Sequence, residues 1–109
     1  MRIIYVDDDV LMLKAVRRQL VALGHEVQTA ECPQSATCLA ACADVALLDW
    51  DPHGPTMLKR CRAAGMPAVI YTGEVERAGQ AALLIVPAIT VLGKPATAEQ
   101  LDAALRGAR

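Results

Sequence analysis

The chain has 109 residues, 54% of them apolar, enough for one domain (residues 1–109) around one core. A formal net charge of −1 gives no electrostatic reason to expect nucleic acid or an anionic membrane as a direct partner. No apolar run approaches the roughly 20 residues of a membrane span, and Met1–Asp7 reaches a carboxylate too soon for a secretory signal, so a cytoplasmic protein is expected.

The apolar period alternates between strand and helix along the chain. Ile3–Val6 is a short continuous run halted by Asp7, Asp8 and Asp9. Residues 10–23 carry Leu13, Val16, Leu20 and Leu23 at helical spacing, with Asp9 as N-cap and Gly24 at the C-terminal end. Glu26–Ala30 reads as a second strand, and Pro33 opens an Ala- and Cys-rich helix. Val45–Leu48 is the third strand, running directly into Asp49. Pro55–Ala64 predicts a helix closed by Gly65 and Pro67, and Ala68–Tyr71 a fourth strand with Thr72 and Gly73 as a turn. Glu74–Leu84 is a weaker helix interrupted by Gly79, followed by Ile89–Leu92 as the fifth strand, closed by Gly93, Lys94 and Pro95. Thr97-Ala98-Glu99-Gln100 has the form of a capping box for a last helix carrying Leu101 and Leu105.

Phe is absent and aromatic residues make up 3%, so Val, Leu, Ile and Ala must fill the interior, as suits a parallel sheet covered by helices. The four cysteines (Cys32, Cys38, Cys42 and Cys61) contain no C-x-x-C pair and no His at ligand spacing. Cys38 and Cys42, four apart, would share a helix face. Two thiols do not complete a zinc site, and all four are expected as reduced core side chains.

Five strands alternating with five helices through short loops imply βαβ units and an open, doubly wound α/β sheet. Ligands of such sheets gather beyond the carboxyl ends of the strands. Asp7 and Asp8 end the first strand, Asp49 the third, Thr72 the fourth and Lys94 the fifth, all at that edge. Asp7, Asp8, Asp9, Asp49 and Asp51 are five of the chain's twelve acidic residues, so the acidity is local. Clustered carboxylates raise each other's pKa and call for a compensating cation, and hard oxygen ligands suit Mg²⁺.

The ordered set V-D-D-D at 6–9, L-L-D at 47–49, Y-T-G at 71–73 and G-K-P at 93–95 resembles the receiver domain of bacterial two-component response regulators over essentially the whole chain. The resemblance implies a flavodoxin-like (βα)5 fold with strand order 2-1-3-4-5. It implies that Asp49 accepts a phosphoryl group from a histidine kinase or histidine phosphotransfer protein. Mg²⁺ would be held by Asp8 directly, by Asp7 through water, by Asp49 and by the backbone carbonyl of Asp51. Thr72 and Lys94 would bind phosphoryl oxygens, and the Lys94-Pro95 peptide would be cis. Such a protein acts as a phosphorelay or protein-binding switch, with no enzymatic activity beyond self-phosphorylation from small donors and autodephosphorylation. It would be a monomer or a weak homodimer through the helix at 74–84, the strand at 89–92 and the last helix.

Three features depart from that family pattern. Pro52, His53 and Gly54 follow Asp49 so closely that the loop is about three residues short. Val91 stands where an aromatic switch residue is usual. Asp51 and Glu74 are both acidic at positions that flank the path of the hydrolytic water. His53 reads as an exposed loop histidine, with an approach to the phosphoryl site as the alternative. The shortened loop and Val91 leave open a degenerate receiver that binds partners without phosphorylation. Asp49-Trp50-Asp51 is also the D-x-D of aspartyl-phosphate phosphatases, but here an acidic pair precedes it, no acid cluster follows Lys94, and the chain leaves no room for a cap.

Overall fold

Short aliphatic runs form the strands, and in the inner ones both faces are covered. The computed structural model describes residues 1–36 and 43–108. Strands β1 (Arg2–Val6), β2 (Glu26–Ala30), β3 (Val45–Asp49), β4 (Ala68–Thr72) and β5 (Thr90–Gly93) form one parallel sheet in the order β2-β1-β3-β4-β5. Four α-helices are described: α1 (Val10–Ala22), α2 (Gly54–Ala64), α3 (Val75–Leu83) and α4 (Ala98–Ala108). The expected doubly wound fold and strand order are therefore present. Where a helix was expected from Pro33, the described residues form a 3-10 turn, Pro33–Ser35. The rest of that expected helix, with Cys38 and Cys42, falls outside the described residues.

Alternation along each strand divides the core into two clusters. Ile4, Val6, Ala46, Leu48 and Ile70 pack with Met57, Leu58 and Cys61 of α2 and Ala78 and Ala82 of α3. Ile3, Tyr5, Val45, Leu47, Val69 and Tyr71 pack with Leu13, Val16 and Leu20 of α1 and Leu101 and Leu105 of α4. Leu20 and Leu48 have no exposed surface, and truncating either to Ala costs about 2–5 kcal/mol through lost transfer energy and a residual cavity. Among the described residues, no helix is long and apolar enough to cross a membrane.

Local sequence explains most element ends. Asp9 caps α1 by accepting from the Leu11 and Met12 amides. Thr97 and Gln100 form the reciprocal capping box of α4, each side chain accepting the other's backbone N–H. Gly65 ends α2 at φ +68, a conformation that costs a residue with a Cβ.

Several expectations are corrected. Leu23 does not join the buried stripe; it caps α1 and is 40% exposed. β3 and β4 each run one residue beyond the expected apolar run, through Asp49 and Thr72, which the ladder pairs with Tyr71 and Gly93. Gly79 does not interrupt α3, because the packing of the helix face carries it. A Cβ there would come only to 3.9 Å from Val91. Cys61 is a core thiol, pushed up to about 11 by burial and so inert, whereas Cys32 is half-exposed.

One buried polar group ties the N-terminal end of the sheet to α4. His25 is 5% exposed, with Nε2 at 2.5 Å from Asp102 Oδ1 and Nδ1 at 3.0 Å from the Met1 ammonium. Nε2–H donating to Asp102 leaves Nδ1 to accept from Met1. Arg106 adds a second donor to Asp102, at 3.0 Å from Oδ2. The His25 bond above all holds the Asp102 carboxyl below its ordinary pKa; burial opposes it, and Arg106 adds to the lowering.

Candidate functional site

The strand order reverses between β1 and β3, and the chain brings its acids to that point. Val6 pairs with Leu48, so Asp7 leaves β1 beside Asp49 at the end of β3. Oxygens of Asp7, Asp8 and Asp49 lie within 4.8 Å of one another, with Asp7 buried, Asp49 half-buried and Asp8 exposed. Three carboxylates so close form a hard, all-oxygen donor set, which fits Mg²⁺ or Ca²⁺ rather than a soft metal.

The charge in this cluster is partly met by the protein. Lys94 Nζ donates to Asp49 Oδ1 at 2.9 Å and to Asp7 Oδ2 at 3.0 Å. Asp7 Oδ2 also accepts from the Tyr5 hydroxyl at 2.5 Å, and its Oδ1 accepts from the Asp9 amide at 2.9 Å. Burial, and then the Asp7 bond, push the Tyr5 phenol far above its ordinary pKa, so it serves as a fixed donor. Burial raises the Asp49 carboxyl pKa; Lys94 opposes the shift, and Asp7 and Asp8 add to it. For Lys94, burial acts downward, yet the bonds to Asp49 and Asp7 prevail and raise the ammonium above its usual value. Both shifts follow from one arrangement, an ion pair drawn partly out of water.

Tyr71 completes the floor of the site. Lys94 Nζ lies 5.3 Å from the Tyr71 ring centroid, within range of a cation–π contact. The Tyr71 hydroxyl accepts from the Ala96 amide at 3.0 Å, just beyond the cis Lys94-Pro95 peptide. That cis bond was expected. A second one, Asp51-Pro52, was not.

The fourth and fifth strands supply the remaining groups. Thr72 is 3% exposed, and its Oγ1 accepts from the Glu74 amide at 3.1 Å. Val91 lies half-buried in β5 against the cluster that includes Ala78 and Ala82. The short connection after Asp49 closes tightly because α2 begins at a glycine. A Cβ on Gly54 would stand 2.7 Å from Trp50 Cε3 and 2.9 Å from the Asp49 carbonyl oxygen. Trp50 is buried, 3% exposed. His53 is half-buried at the start of α2, where an exposed loop position was expected, and makes no side-chain cap bond.

Asp51 and Glu74 do not stand as two free acids. Arg77 of α3 donates Nε to Glu74 Oε2 at 2.5 Å and Nη2 to Asp51 Oδ2. These bonds, Asp51 first, raise the Arg77 pKa further. Sequence reading passed over Arg77 and Tyr5, and took Gly54 only as part of a short loop. For Tyr5 a signal existed, since it stands two residues before Asp7 on the same strand face, and a buried phenol needs a partner. For Arg77 no local pattern links it to Asp51, 26 residues away.

No protein-family model matches the sequence, and no curated protein matches it. Solved structures do. The chemotaxis protein CheY4 of Vibrio cholerae is 26% identical, with a TM-score of 0.84, over 98% of this chain and 97% of that one. A response regulator receiver domain protein from Clostridium thermocellum is 26% identical, with a TM-score of 0.80, over 97% and 91%. A response regulator from Burkholderia pseudomallei, solved with a phosphorylated aspartic acid, a calcium ion and citrate, shares the fold at 22% identity. Its TM-score is 0.81, over 94% of this chain and 65% of that one. The chain has the fold of response-regulator receiver domains.

Proposed function

We propose that this chain is a phosphorylatable receiver, with Asp49 taking a phosphoryl group from the phosphohistidine of a kinase or phosphotransfer protein. The observation that carries the reading is the joint placement of Asp49 with Asp7, Asp8 and Lys94 Nζ, the last 2.9 Å from Asp49 and 3.0 Å from Asp7. Lys94 occupies Asp49 Oδ1, which leaves Oδ2 to attack phosphorus. The O–P bond forms as the N–P bond of the phosphohistidine breaks. The electron pair stays on the imidazole nitrogen, which takes its proton from solvent. A carboxylate made more basic by burial is the better nucleophile.

The other residues manage charge and position, which is most of the catalysis such transfers need. Lys94 follows the charge from the carboxylate to a phosphoryl oxygen. Tyr5 and the Asp9 amide keep Asp7 satisfied when Lys94 moves away. The Thr72 hydroxyl turns from the Glu74 amide to a second phosphoryl oxygen. Asp8, Asp49 and Asp7, with the Asp51 carbonyl, would hold Mg²⁺, which supplies charge neutralisation at the phosphoryl oxygens.

In this reading the protein is a cytoplasmic relay or switch and not an enzyme for outside substrates. Any homodimer would be weak and would form through α3, β5 and α4. Incubation with acetyl phosphate and Mg²⁺ should add one phosphoryl group that Asp49→Asn removes. A label on Asp51 instead would favour the D-x-D phosphatase chemistry. The tight Trp50–Gly54 closure and Val91 favour a second reading, a receiver that binds partners without phosphorylation. Failure to take a phosphoryl group from any donor would select it.

A further inference from the structure

We propose that Arg77 is a positioning residue that couples the two loops flanking Asp49, so that the orientation of the Thr72 hydroxyl is felt at Asp51. The bonds run without a break from one loop to the other. The Glu74 amide donates to Thr72 Oγ1 at 3.1 Å, and Arg77 Nε donates to the Glu74 carboxylate at 2.5 Å. Arg77 Nη2 and Nη1 then donate to the two oxygens of Asp51, the second at 3.5 Å. Asp51 is two residues beyond Asp49, and β3 and β4 are neighbours. The guanidinium therefore spans the gap between the strands that end in Asp49 and Thr72.

The chemistry of the span is specific to arginine. Its Nε edge serves one acid while its two Nη groups face another, a division that a lysine ammonium on a flexible stem does not reproduce. The side chains of Arg77, Asp51 and Glu74 are 51%, 62% and 65% exposed. Exposed pairs of this kind add little to fold stability and are screened by salt. The bridge thus sets loop positions without holding up the fold.

Thr72 Oγ1 is the moving part. When it turns away from the Glu74 amide, Glu74 is freed to shift, and the Arg77 fork must shift with it. Asp51, on the loop after Asp49, then changes place. Only the trigger for this turn, a phosphoryl group on Asp49, rests on the function proposed above. The coupling itself rests on the bonds.

The test begins without phosphate. Amide resonances of Trp50 and Asp51 are compared in the parent, Thr72→Val, Arg77→Ala and the double variant. Thr72→Val should shift the Asp51 amide in the parent background, and that shift should vanish once Arg77 is gone. Salt near 1 M, where the Debye length is about 3 Å, should shrink it too. Thr72→Ser, which keeps the hydroxyl, should leave Asp51 in place, and Arg77→Lys should not restore the coupling. An Asp51 shift of the same size with and without Arg77 overturns the proposal. A second arm follows the lifetime of the phosphoryl group on Asp49, expected to depend on salt in the parent and not in Arg77→Ala. If no phosphoryl group is taken up, the proposed function fails while the first arm still decides the coupling.

Discussion

Lys94 Nζ stands 2.9 Å from an oxygen of Asp49 and 3.0 Å from an oxygen of Asp7, so one ammonium holds two carboxylates of adjacent strands together. Removing it leaves Asp49 facing Asp7 and Asp8 in a partly desolvated site. Lys94→Ala should lower stability in the absence of divalent cations by roughly 1–3 kcal/mol, the cost of leaving partly buried acceptors without their donor. Mg²⁺ should restore more stability to the variant than it adds to the parent. Thermal unfolding with EDTA and with Mg²⁺ measures both; an equal Mg²⁺ effect in the two proteins would contradict the charge account.

Asp8 is the exposed member of the acidic set, the one left open to a hydrated cation. A ligand that binds only the folded chain raises its melting temperature with concentration. Mg²⁺ should do so for the parent and change Trp50 fluorescence. Asp8→Asn should abolish both responses, block phosphorylation and leave the fold intact or more stable, because one like charge is gone. Undiminished Mg²⁺ binding by Asp8→Asn would remove Asp8 from the metal set.

Much of this was legible because two periods and a few punctuating residues carry it. Apolar runs ending in Asp49 and in Tyr71-Thr72 placed strand ends at one edge, and the parallel order followed from the βαβ alternation. Element ends drifted where ladder pairing extends beyond the apolar run, as at Asp49 and Thr72. Gly79 misled because propensity is a weak prior against a packed helix face. What sequence order hides is contact at long separation. Arg77 to Asp51 and His25 to Asp102 have no spacing rule, and only the assembled sheet brings each pair together.

The short loop after Asp49 makes a sharp claim. Gly54→Ala keeps helix propensity favourable, yet its Cβ would meet the Trp50 ring and the Asp49 carbonyl at 2.7 and 2.9 Å. Overpacking of this kind costs about 1–3 kcal/mol. The variant should melt lower than the parent and show altered Trp50 emission, since the indole or the strand end must shift. Parental stability and emission in Gly54→Ala would mean that the loop is not under that constraint.

The link between His25 and Asp102 predicts a pH dependence. A carboxyl whose folded pKa is depressed contributes stability that is present above its unfolded value, about 3.9. That contribution is lost as pH falls through the folded value. Asp102 is so depressed, first by His25 and then by Arg106. Asp102→Asn should therefore melt below the parent at neutral pH, and the gap should close on acidification below about pH 4. A gap that stays constant across the acid range would show that the Asp102 charge is not what His25 and Arg106 reward.

Val91 sets how far a change at Thr72 can travel. It lies half-buried on β5 against the cluster formed partly by Ala78 and Ala82 of α3, with no ring to swing between buried and exposed positions. Its β-branch also restricts χ1. When Thr72 turns toward a phosphoryl oxygen, nothing on β5 is large enough to fill the vacated space and repack the surface toward α4. Backbone amide shifts on adding beryllofluoride and Mg²⁺ should be large at residues 51–54 and 73–76 and small along 97–108. Shifts along 97–108 as large as those at 73–76 would show that an aliphatic residue at position 91 transmits the switch after all.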